Sequence, residues 1–306
     1  MTSRPPFPTV RIGVDTGGTF TDFVILERGR LSVKKLLSTP RNPSLAILEG
    51  VREFLDRDIP IEIIHGTTVA TNALLERKGG RIALVTTRGF EDILLIGRQV
   101  RKRLYSLRGE DRRPLLPRSL CLGIEERTAA GGTVEKSPRR RELERLYKKL
   151  KAAGVEAVAL SFLNSYANPA NEKTAAAVLE GRGLLLSVSS RLLPEHREYE
   201  RTASTAVNAY LIPVLDHYLA SLETGTKGAN LRIMQSNEGT ISTVKARREP
   251  IRTALSGPAG GAVAAAAIGR SAGIPDIISF DMGGTSTDVS LIDGRIRRTQ
   301  ENVIGD

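Results

Sequence analysis

The sequence is poor in the residues that build disulfides, metal centres and base-stacking surfaces. It has one cysteine, Cys121, and therefore no internal disulfide. Its three histidines are not spaced as metal ligands, and 4% aromatic residues leave few platforms on which nucleobases stack. No apolar run spans a bilayer, since the most apolar helix candidate, residues 260–268, is alanine-rich and short. With no leader before the first apolar segment, these features predict a cytoplasmic protein without a membrane partner.

Basic residues outnumber acidic residues by 45 to 34, which gives a net charge of +11 and raises nucleic acid as a partner. The basic residues are spread along the chain, with local excesses at residues 98–118 and 136–151. A solvated cationic surface, or attraction for an anionic nucleotide, explains this charge, so nucleic acid is not the expected partner. The 306 residues, 40% of them hydrophobic, are enough for two domains with hydrophobic cores.

An eight-residue motif occurs twice in the chain. DTGGTFTD occupies residues 15–22 and DMGGTSTD occupies residues 281–288, with six of eight positions identical. Largely apolar segments flank both copies, at residues 10–14 and 23–26 for the first and at residues 277–280 and 289–292 for the second. Each copy is therefore predicted to form a strand, a tight glycine turn and a second strand.

Such a hairpin has the chemistry of a phosphate cradle. Paired glycines allow backbone N–H groups to approach an anion closely, and threonine hydroxyls add further donors. The aspartate at the end of the incoming strand would repel a polyphosphate unless a hard cation such as Mg²⁺ lies between them. A glycine-rich hairpin turn without a ligand is the alternative for one copy. The repetition of the motif favours the interpretation as a Mg·nucleotide site.

Between the two copies the sequence alternates between predicted strands and helices. A third strand is expected at residues 31–37, a helix beginning at Pro43 and Ser44, and a strand at residues 61–64. The buried face of that helix is expected to contain Leu45, Leu48, Val51 and Leu55. A helix is expected within residues 88–99, an inserted loop region with short strands at residues 103–133, and a long helix at residues 195–222 that Pro213 kinks or breaks.

Two polar segments are candidates for the substrate side. The string HGTTVATN at residues 65–72 leads from a strand into a helix N-terminus, where a carbonyl or anionic ligand finds free N–H groups. The alternative is a threonine-capped helix with His65 as a satisfied loop residue. Arg98 and Arg101 are able to clamp a carboxylate or phosphate, or are surface arginines of a basic segment.

The duplicated hairpin resembles the two phosphate loops of the actin, sugar kinase and Hsp70 ATPase superfamily. The sequence of this hairpin is similar to that of the hydantoinase A/5-oxoprolinase family. Further segments along nearly the whole chain also resemble segments of that family. These segments are HGTTVATNA at residues 65–73, TTRGF at 86–90, IGRQ at 96–99, QSNEG at 235–239 and SGPAGG at 256–261. The order of three strands, a helix and a strand also agrees with the start of a ribonuclease-H-like domain.

The resemblance implies an α/β fold in which an actin-like, ribonuclease-H-like domain precedes an incomplete second domain of the same type. The first domain is expected at residues 1–193 and the second, which carries the second phosphate loop, at residues 194–306. Family members continue beyond the second loop through an adenosine-binding segment. We therefore expect weak nucleotide binding by this chain alone, and a further chain or segment that completes the second domain.

The resemblance also implies roles for individual residues. Asp15 and Asp281 would position Mg²⁺, directly or through water, and the attacking group near the γ-phosphate of ATP. His65 and Arg98 are the other catalytic candidates. The residues expected to bind the nucleotide are Gly17, Gly18, Thr19, Thr21, Asp22, Gly283, Gly284, Thr285, Ser286, Thr287 and Asp288. Those expected on the substrate side are Thr67, Thr68, Asn72 and Glu238.

The function that the resemblance implies is ATP-dependent hydrolysis of a cyclic amide, of the hydantoin or 5-oxoproline type, through phosphoryl activation of its carbonyl. Two alternatives stay open: a subunit of an ATP-dependent acetone or acetophenone carboxylase, and an inactive truncated product. The expected partners are a small-molecule substrate and a hydantoinase B-like subunit.

Overall fold

The computed structural model describes residues 10–39, 42–57, 59–100, 105, 114–237, 239–282 and 287–297. Over these residues the protein has an α/β fold with mixed and parallel sheets. The chain forms two compact units, one comprising Met1–Lys78 with Val214–Asp306 and the other comprising Gly79–Pro213. The predicted boundary between a first domain at residues 1–193 and a second domain at residues 194–306 was drawn from the family resemblance, and it stays a prediction.

The strands of the described residues are β1 (Val10–Thr16), β2 (Phe20–Glu27), β3 (Arg30–Leu37), β4 (Ile61–Thr67), β5 (Ile82–Thr87), β6 (Cys121–Ile124), β7 (Arg127–Thr128), β8 (Val134–Lys136), β9 (Ala157–Ser161), β10 (Leu185–Val188), β11 (Asn230–Met234), β12 (Thr240–Ser242), β13 (Asp276–Met282) and β14 (Thr287–Asp293). The helices are α1 (Ser44–Leu55), α2 (Val69–Leu75), α3 (Ile93–Ile96), α4 (Arg140–Ala152), α5 (Ala170–Glu180), α6 (Ser189–Leu192), α7 (Glu198–Gly225), α8 (Thr243–Arg248) and α9 (Ser256–Ser271).

The discontinuous unit contains a six-stranded mixed sheet in the order β12-β11-β4-β1-β2-β3. Strands β1, β2 and β3 form an antiparallel meander, while β4 pairs with β1, and β11 with β4, in parallel. The strands predicted at residues 10–14, 23–26, 31–37 and 61–64 are all present. Because β1 and β4 are parallel neighbours, their carboxyl ends meet at one edge of the sheet, where polar side chains from both strands come together.

Helix α1 packs on this sheet through a face that only partly matches the predicted one. Val51 is buried as predicted, together with Gly50 and Phe54, and Leu48 and Leu55 are partly buried, whereas Leu45 is 53% exposed. A Cβ at Gly50 would collide with the Phe23 ring, so the absence of a side chain at Gly50 allows the close approach of the helix to Phe23.

The two copies of the motif form hairpins with the same register. Asp15 pairs with Asp22 in the first hairpin, and Asp281 pairs with Asp288 in the second. Their apolar faces differ, because the face of the first hairpin is buried and the matching face of the second is exposed. The buried residues are Ile12, Val14, Phe23 and Ile25, and their counterparts 266 positions later are the exposed Ile278, Phe280, Val289 and Leu291.

The Gly79–Pro213 unit contains a parallel four-stranded sheet in the order β10-β9-β5-β6 and a small antiparallel pair, β7-β8. Strands β5 and β9 are buried along their whole length, as expected for central parallel strands covered on both faces. The helix predicted within residues 88–99 is confined to the four residues of α3. Part of the predicted loop region, residues 103–104 and 106–113, lies outside the described residues.

A buried polar network holds the helices of this unit together. The Arg201 guanidinium, fully buried at the start of α7, donates to the carbonyl oxygen of Phe162 at 2.8 Å and to the Ser189 hydroxyl. Glu172 of α5 is also fully buried, lies 3.7 Å from Arg201 and accepts from the Phe162 N–H at 2.8 Å. Because the buried charges are paired and hydrogen-bonded, the network tolerates burial that would otherwise be costly.

The long helix predicted at residues 195–222 is present as α7, shifted by three residues at each end. Pro213 lies inside it without breaking it, so of the two predicted alternatives the break is wrong and the kink stays a prediction. The two compact units divide between Pro213 and Val214, within this helix.

Candidate phosphate-binding site

Asp15 lies near the end of β1, at the edge where β1 and β4 finish together. Its backbone is in register with Asp22 of β2 on one side and with Gly66 of β4 on the other. A Cβ added at Gly66 would lie 3.3 Å from Asp15 Oδ1, so the missing side chain at Gly66 makes the space that the Asp15 carboxylate occupies. The string HGTT therefore contributes a glycine to the site of Asp15.

The electrostatic environment of Asp15 disfavours its charged form. The carboxylate remains open to solvent, but surrounding protein atoms desolvate it, and this raises its pKa above the usual value. The charges of Asp22 and Asp281 raise the pKa further, against an opposing hydrogen bond from the Thr16 backbone. Asp281, the counterpart of Asp15 in the second hairpin, is thus close enough to interact with it. A divalent cation would relieve the repulsion among these carboxylates, so the donor set fits Mg²⁺.

The first glycine turn is held closed by backbone hydrogen bonds. The Gly17 N–H donates to the Phe20 carbonyl at 2.9 Å, and the Ser38 N–H donates to the Thr19 carbonyl at 2.9 Å. Gly18 and Thr19 are exposed at the tip, and a Cβ at Gly18 would meet no atom within 4 Å. Among the predicted phosphate ligands of this turn, Gly18 and Thr19 are therefore open to a phosphate, while the Gly17 N–H is already engaged.

Thr21 lies behind the turn and is fully buried. Its hydroxyl lies 3.0 Å from the Ser38 hydroxyl, which in turn donates to the Gly17 carbonyl at 2.8 Å. This geometry lets Thr21 and Ser38 hold the glycine turn in place. A direct phosphate contact by Thr21 stays a prediction. Sequence analysis missed Ser38, because it follows β3 and lies 21 positions beyond Gly17, so no local pattern marks it.

Asp22 forms an ion pair with Lys35 of β3 at 3.0 Å. The Lys35 ammonium also lies 5.0 Å from the centre of the Phe20 ring, within the range of a cation–π contact. Lys35 was not singled out from the sequence. The Lys35 ammonium places a positive charge beside the first glycine turn.

In the second hairpin the structure describes Asp281, Thr287 and Asp288. Thr287 pairs with Met282, as Thr21 pairs with Thr16 in the first hairpin. The predicted ligands Gly283, Gly284, Thr285 and Ser286 lie outside the described residues, and their roles stay predictions.

His65 is buried directly behind Asp15. Its Nδ1 lies 3.4 Å from the Val14 carbonyl and its Nε2 lies 2.7 Å from the Tyr218 hydroxyl of α7. Complete burial lowers the pKa of His65 to about 4, against an opposing hydrogen bond to Val14, so the ring is neutral at neutral pH. Both ring nitrogens are engaged by protein groups. The described geometry gives His65 a positioning role, and a direct catalytic role stays a prediction.

The turn between β4 and α2 is tied to the end of β1 and to α9. The Thr68 hydroxyl donates to the Thr16 carbonyl at 3.2 Å, and Asn72 Nδ2 lies 3.4 Å from the Thr68 hydroxyl. The Ser256 hydroxyl donates to the Thr67 carbonyl at 3.3 Å, which brings the SGPAGG segment to the same edge. Thr67 is buried, Thr68 is half-buried and Asn72 is exposed. Of these three predicted substrate contacts, Thr68 and Asn72 are therefore the ones accessible to a ligand.

The remaining predicted residues are Arg98, Arg101 and Glu238. Arg98 belongs to the Gly79–Pro213 unit, where its Nε donates to Glu200 Oε1 at 2.7 Å. Glu238 and Arg101 lie outside the described residues. Within the part of the chain that the structure describes, no group of three or more His, Cys, Asp or Glu side chains is arranged as a metal cluster. Nor does any helix there have the length and apolarity to cross a membrane.

Comparison with known proteins decides the family. Residues 11–183 match the hydantoinase/oxoprolinase N-terminal region, and residues 201–306 match the hydantoinase/oxoprolinase family itself. The chain belongs to the hydantoinase/oxoprolinase family. The resemblance drawn from the motifs is thereby confirmed.

Relatives of this chain include a 5-oxoprolinase and a caprolactamase subunit. The chain is 35% identical to 5-oxoprolinase of Saccharomyces cerevisiae, over 96% of this chain and 27% of the relative. It is 34% identical to caprolactamase subunit alpha of Pseudomonas jessenii, over 93% of this chain and 43% of the relative.

Solved structures agree with this placement. The ATP-dependent caprolactamase of P. jessenii superposes with a TM-score of 0.79 at 33% identity, over 92% of this chain and 43% of that chain. The nucleotide-free acetone carboxylase superposes with a TM-score of 0.81 at 29% identity, over 94% of this chain and 45% of that chain. The chain thus spans about a quarter to somewhat under half of the length of these relatives.

Proposed function

We propose that this chain supplies the phosphate-binding part of an ATP-dependent enzyme that hydrolyses a cyclic amide of the hydantoin or 5-oxoproline type. The observation that carries the proposal is the correspondence between Asp15 and Asp281. They occupy the same register position in two copies of one hairpin, and the charge of Asp281 raises the pKa of Asp15. Two hairpins whose aspartates interact in this way suit a polyphosphate with a bound cation.

In this proposal the Asp15 and Asp281 carboxylates would hold Mg²⁺, directly or through water, and the cation would neutralise the charge of the ATP phosphates. Carboxylate and phosphate oxygens are its preferred ligands. Gly18 and Thr19 contact phosphate oxygens from the first turn, and Gly17, Thr21 and Asp22 shape that turn. The matching roles in the second hairpin fall to Gly283, Gly284, Thr285, Ser286, Thr287 and Asp288.

The chemistry proposed for ATP is phosphorylation of the amide oxygen, which turns the carbonyl carbon into a better electrophile for water. Phosphoryl transfer needs mainly positioning and charge neutralisation. The site accordingly needs no nucleophilic side chain. Thr68 and Asn72, which lie at the same sheet edge as Asp15, are the proposed substrate contacts among the described residues, and Arg98 and Glu238 are further candidates.

We also propose that the two hairpins belong to two actin-like domains, with family segments at residues 1–193 and 194–306. The strand order β3-β2-β1-β4, with an antiparallel meander followed by a parallel strand, supports a ribonuclease-H-like first domain. The exposed apolar face of the second hairpin supports a second domain that further chain completes, because the same face is buried in the first hairpin. A hydantoinase B-like subunit is a further proposed partner, since the caprolactamase relative is named as a subunit.

A ketone carboxylase subunit is the second candidate. It is favoured by the superposition on acetone carboxylase over 94% of this chain with a TM-score of 0.81. In that reaction ATP would activate a ketone as its phosphorylated enol for attack on a carboxylating species.

Substrate-stimulated ATP hydrolysis tests the proposal. The native protein, isolated with any chains that co-purify, is assayed for ATP hydrolysis with Mg²⁺ alone, with 5-oxoproline, with hydantoin, and with acetone plus bicarbonate. Stimulation by a cyclic amide supports the hydrolase, and stimulation by acetone plus bicarbonate supports the carboxylase. Absence of Mg²⁺-dependent ATP binding and of hydrolysis under all four conditions would overturn the proposed function and favour an inactive product.

A further inference from the structure

A chain of hydrogen bonds runs behind the site from α7 to the strand that carries Asp15. The Tyr218 hydroxyl lies 2.7 Å from His65 Nε2, and His65 Nδ1 lies 3.4 Å from the Val14 carbonyl.

The direction of these bonds fixes the tautomer of His65. A backbone carbonyl only accepts, so His65 Nδ1 carries the proton and donates to Val14. Nε2 is then unprotonated and accepts from the Tyr218 hydroxyl.

The chain has little freedom to rearrange. His65 is completely buried and Tyr218 is nearly so. Removing the Tyr218 hydroxyl would leave His65 Nε2 buried without a partner, which costs more than the bond itself is worth. Tyr218 lies on α7, whereas His65 belongs to β4 and Val14 to β1.

We propose that Tyr218 is a positioning residue which, through His65, holds the backbone before Asp15. It thereby couples α7 to the phosphate side of the site. The coupling rests on the proposed function, whereas the hydrogen-bond chain does not.

The tautomer of His65 tests the chain itself. In native protein labelled with ¹⁵N-histidine, the ring signals of His65 are assigned by their loss in His65→Gln. We expect the Nδ1-protonated tautomer in the wild type, and a shift of both ring signals in Tyr218→Phe. Tyr210→Phe is the matched control, because Tyr210 is another buried tyrosine of α7 and does not contact His65. An Nε2-protonated His65 in the wild type, or unchanged signals in Tyr218→Phe, would overturn the proposal.

Binding measurements test the positioning role. We expect Tyr218→Phe to weaken Mg·ATP binding by the native protein about fivefold, as for the loss of one buried hydrogen bond, and Tyr210→Phe to leave it unchanged. Because Tyr218 acts through His65, adding Tyr218→Phe to His65→Gln should weaken binding no further. Additive losses, or no loss in Tyr218→Phe, would contradict this role. A wild-type protein that binds no Mg·ATP would overturn the proposed function and the coupling with it, and the tautomer would still decide whether the chain exists.

Discussion

The Asp15 carboxylate lies against the backbone of Gly66, its register partner across strands β1 and β4. A Cβ at residue 66 would come within 3.3 Å of Asp15 Oδ1. This distance is short enough that the carboxylate would have to move. The glycine of the string HGTT is therefore explained by the space that Asp15 needs rather than by a turn.

Gly66→Ala should displace Asp15 with little effect on stability. The backbone at Gly66 does not have a positive φ, so alanine fits its conformation. Alanine lowers the conformational entropy of the unfolded chain, which stabilises the folded protein by about 0.4–1 kcal/mol and offsets the crowding. We expect Mg·ATP affinity to fall about tenfold while the urea midpoint changes little. Gly131→Ala is the control, because a Cβ there meets no atom within 4 Å. Equal affinities in the two variants would contradict the role given to Gly66.

Thr16→Val should stabilise the protein. The Thr16 side chain is 5% exposed, and its hydroxyl has no hydrogen-bond partner within the described residues. Replacing an unsatisfied buried hydroxyl with a methyl group of similar shape removes a desolvation cost of about 1 kcal/mol or more. The second hairpin already carries an apolar residue, Met282, at the matching position. A fall in the free energy of urea unfolding would show that the hydroxyl has a partner.

His65 should make stability depend on pH between about 4 and 6.5. Its pKa is lowered from 6.5 to about 4 in the folded protein, so the unfolded chain binds more protons in this window and stability falls as the pH falls. Tyr218, the titratable side chain in contact with it, has a raised pKa and stays neutral here. The stability difference between the wild type and His65→Gln should shrink by about 1–2 kcal/mol from pH 7 to pH 5. A difference that is the same at both pH values would contradict a neutral buried His65.

The exposed face of the second hairpin should promote self-association of this 306-residue chain when it is produced alone. Val289, on that face, is 59% exposed, and Val244, on α8, is 57% exposed. These two valines match in size and exposure but differ in that only Val289 belongs to a continuous apolar face. Val289→Ser should reduce the associated fraction in sedimentation velocity, whereas Val244→Ser should not. The same effect from both variants would assign the association to general hydrophobicity.

Much of the fold was predictable because its signals are local. The strands at residues 10–14, 23–26 and 61–64, the second hairpin and α7 follow from apolar periodicity and glycine turns. The buried face of α1 was predicted only in part, because it depends on the fit between Gly50 and Phe23, which are 27 positions apart. Likewise, the presence of Pro213 in the sequence does not reveal that α7 continues past it.

The site divides in the same way. Asp15 and the glycine turns could be identified because their motif is repeated, and the proximity of Asp281 follows the expectation that the two copies act together. Ser38, Lys35 and Tyr218 lie far from the motif in sequence and carry no pattern of their own. His65 was selected for its chemistry, but burial and the bond to Tyr218, which only the fold supplies, determine its protonation state.

Mg·ATP binding by Asp15→Asn tests the central claim most directly. The native protein, with any co-purifying chains, is compared with Asp15→Asn and with Asp56→Asn, a change at an exposed aspartate after α1. We expect Asp15→Asn to weaken Mg²⁺-dependent ATP binding by at least about tenfold, or 1.4 kcal/mol. Its stability should be unchanged or higher, because repulsion from Asp22 and Asp281 is removed. Asp56→Asn should bind as the wild type does. Undiminished binding by a folded Asp15→Asn variant would contradict the account.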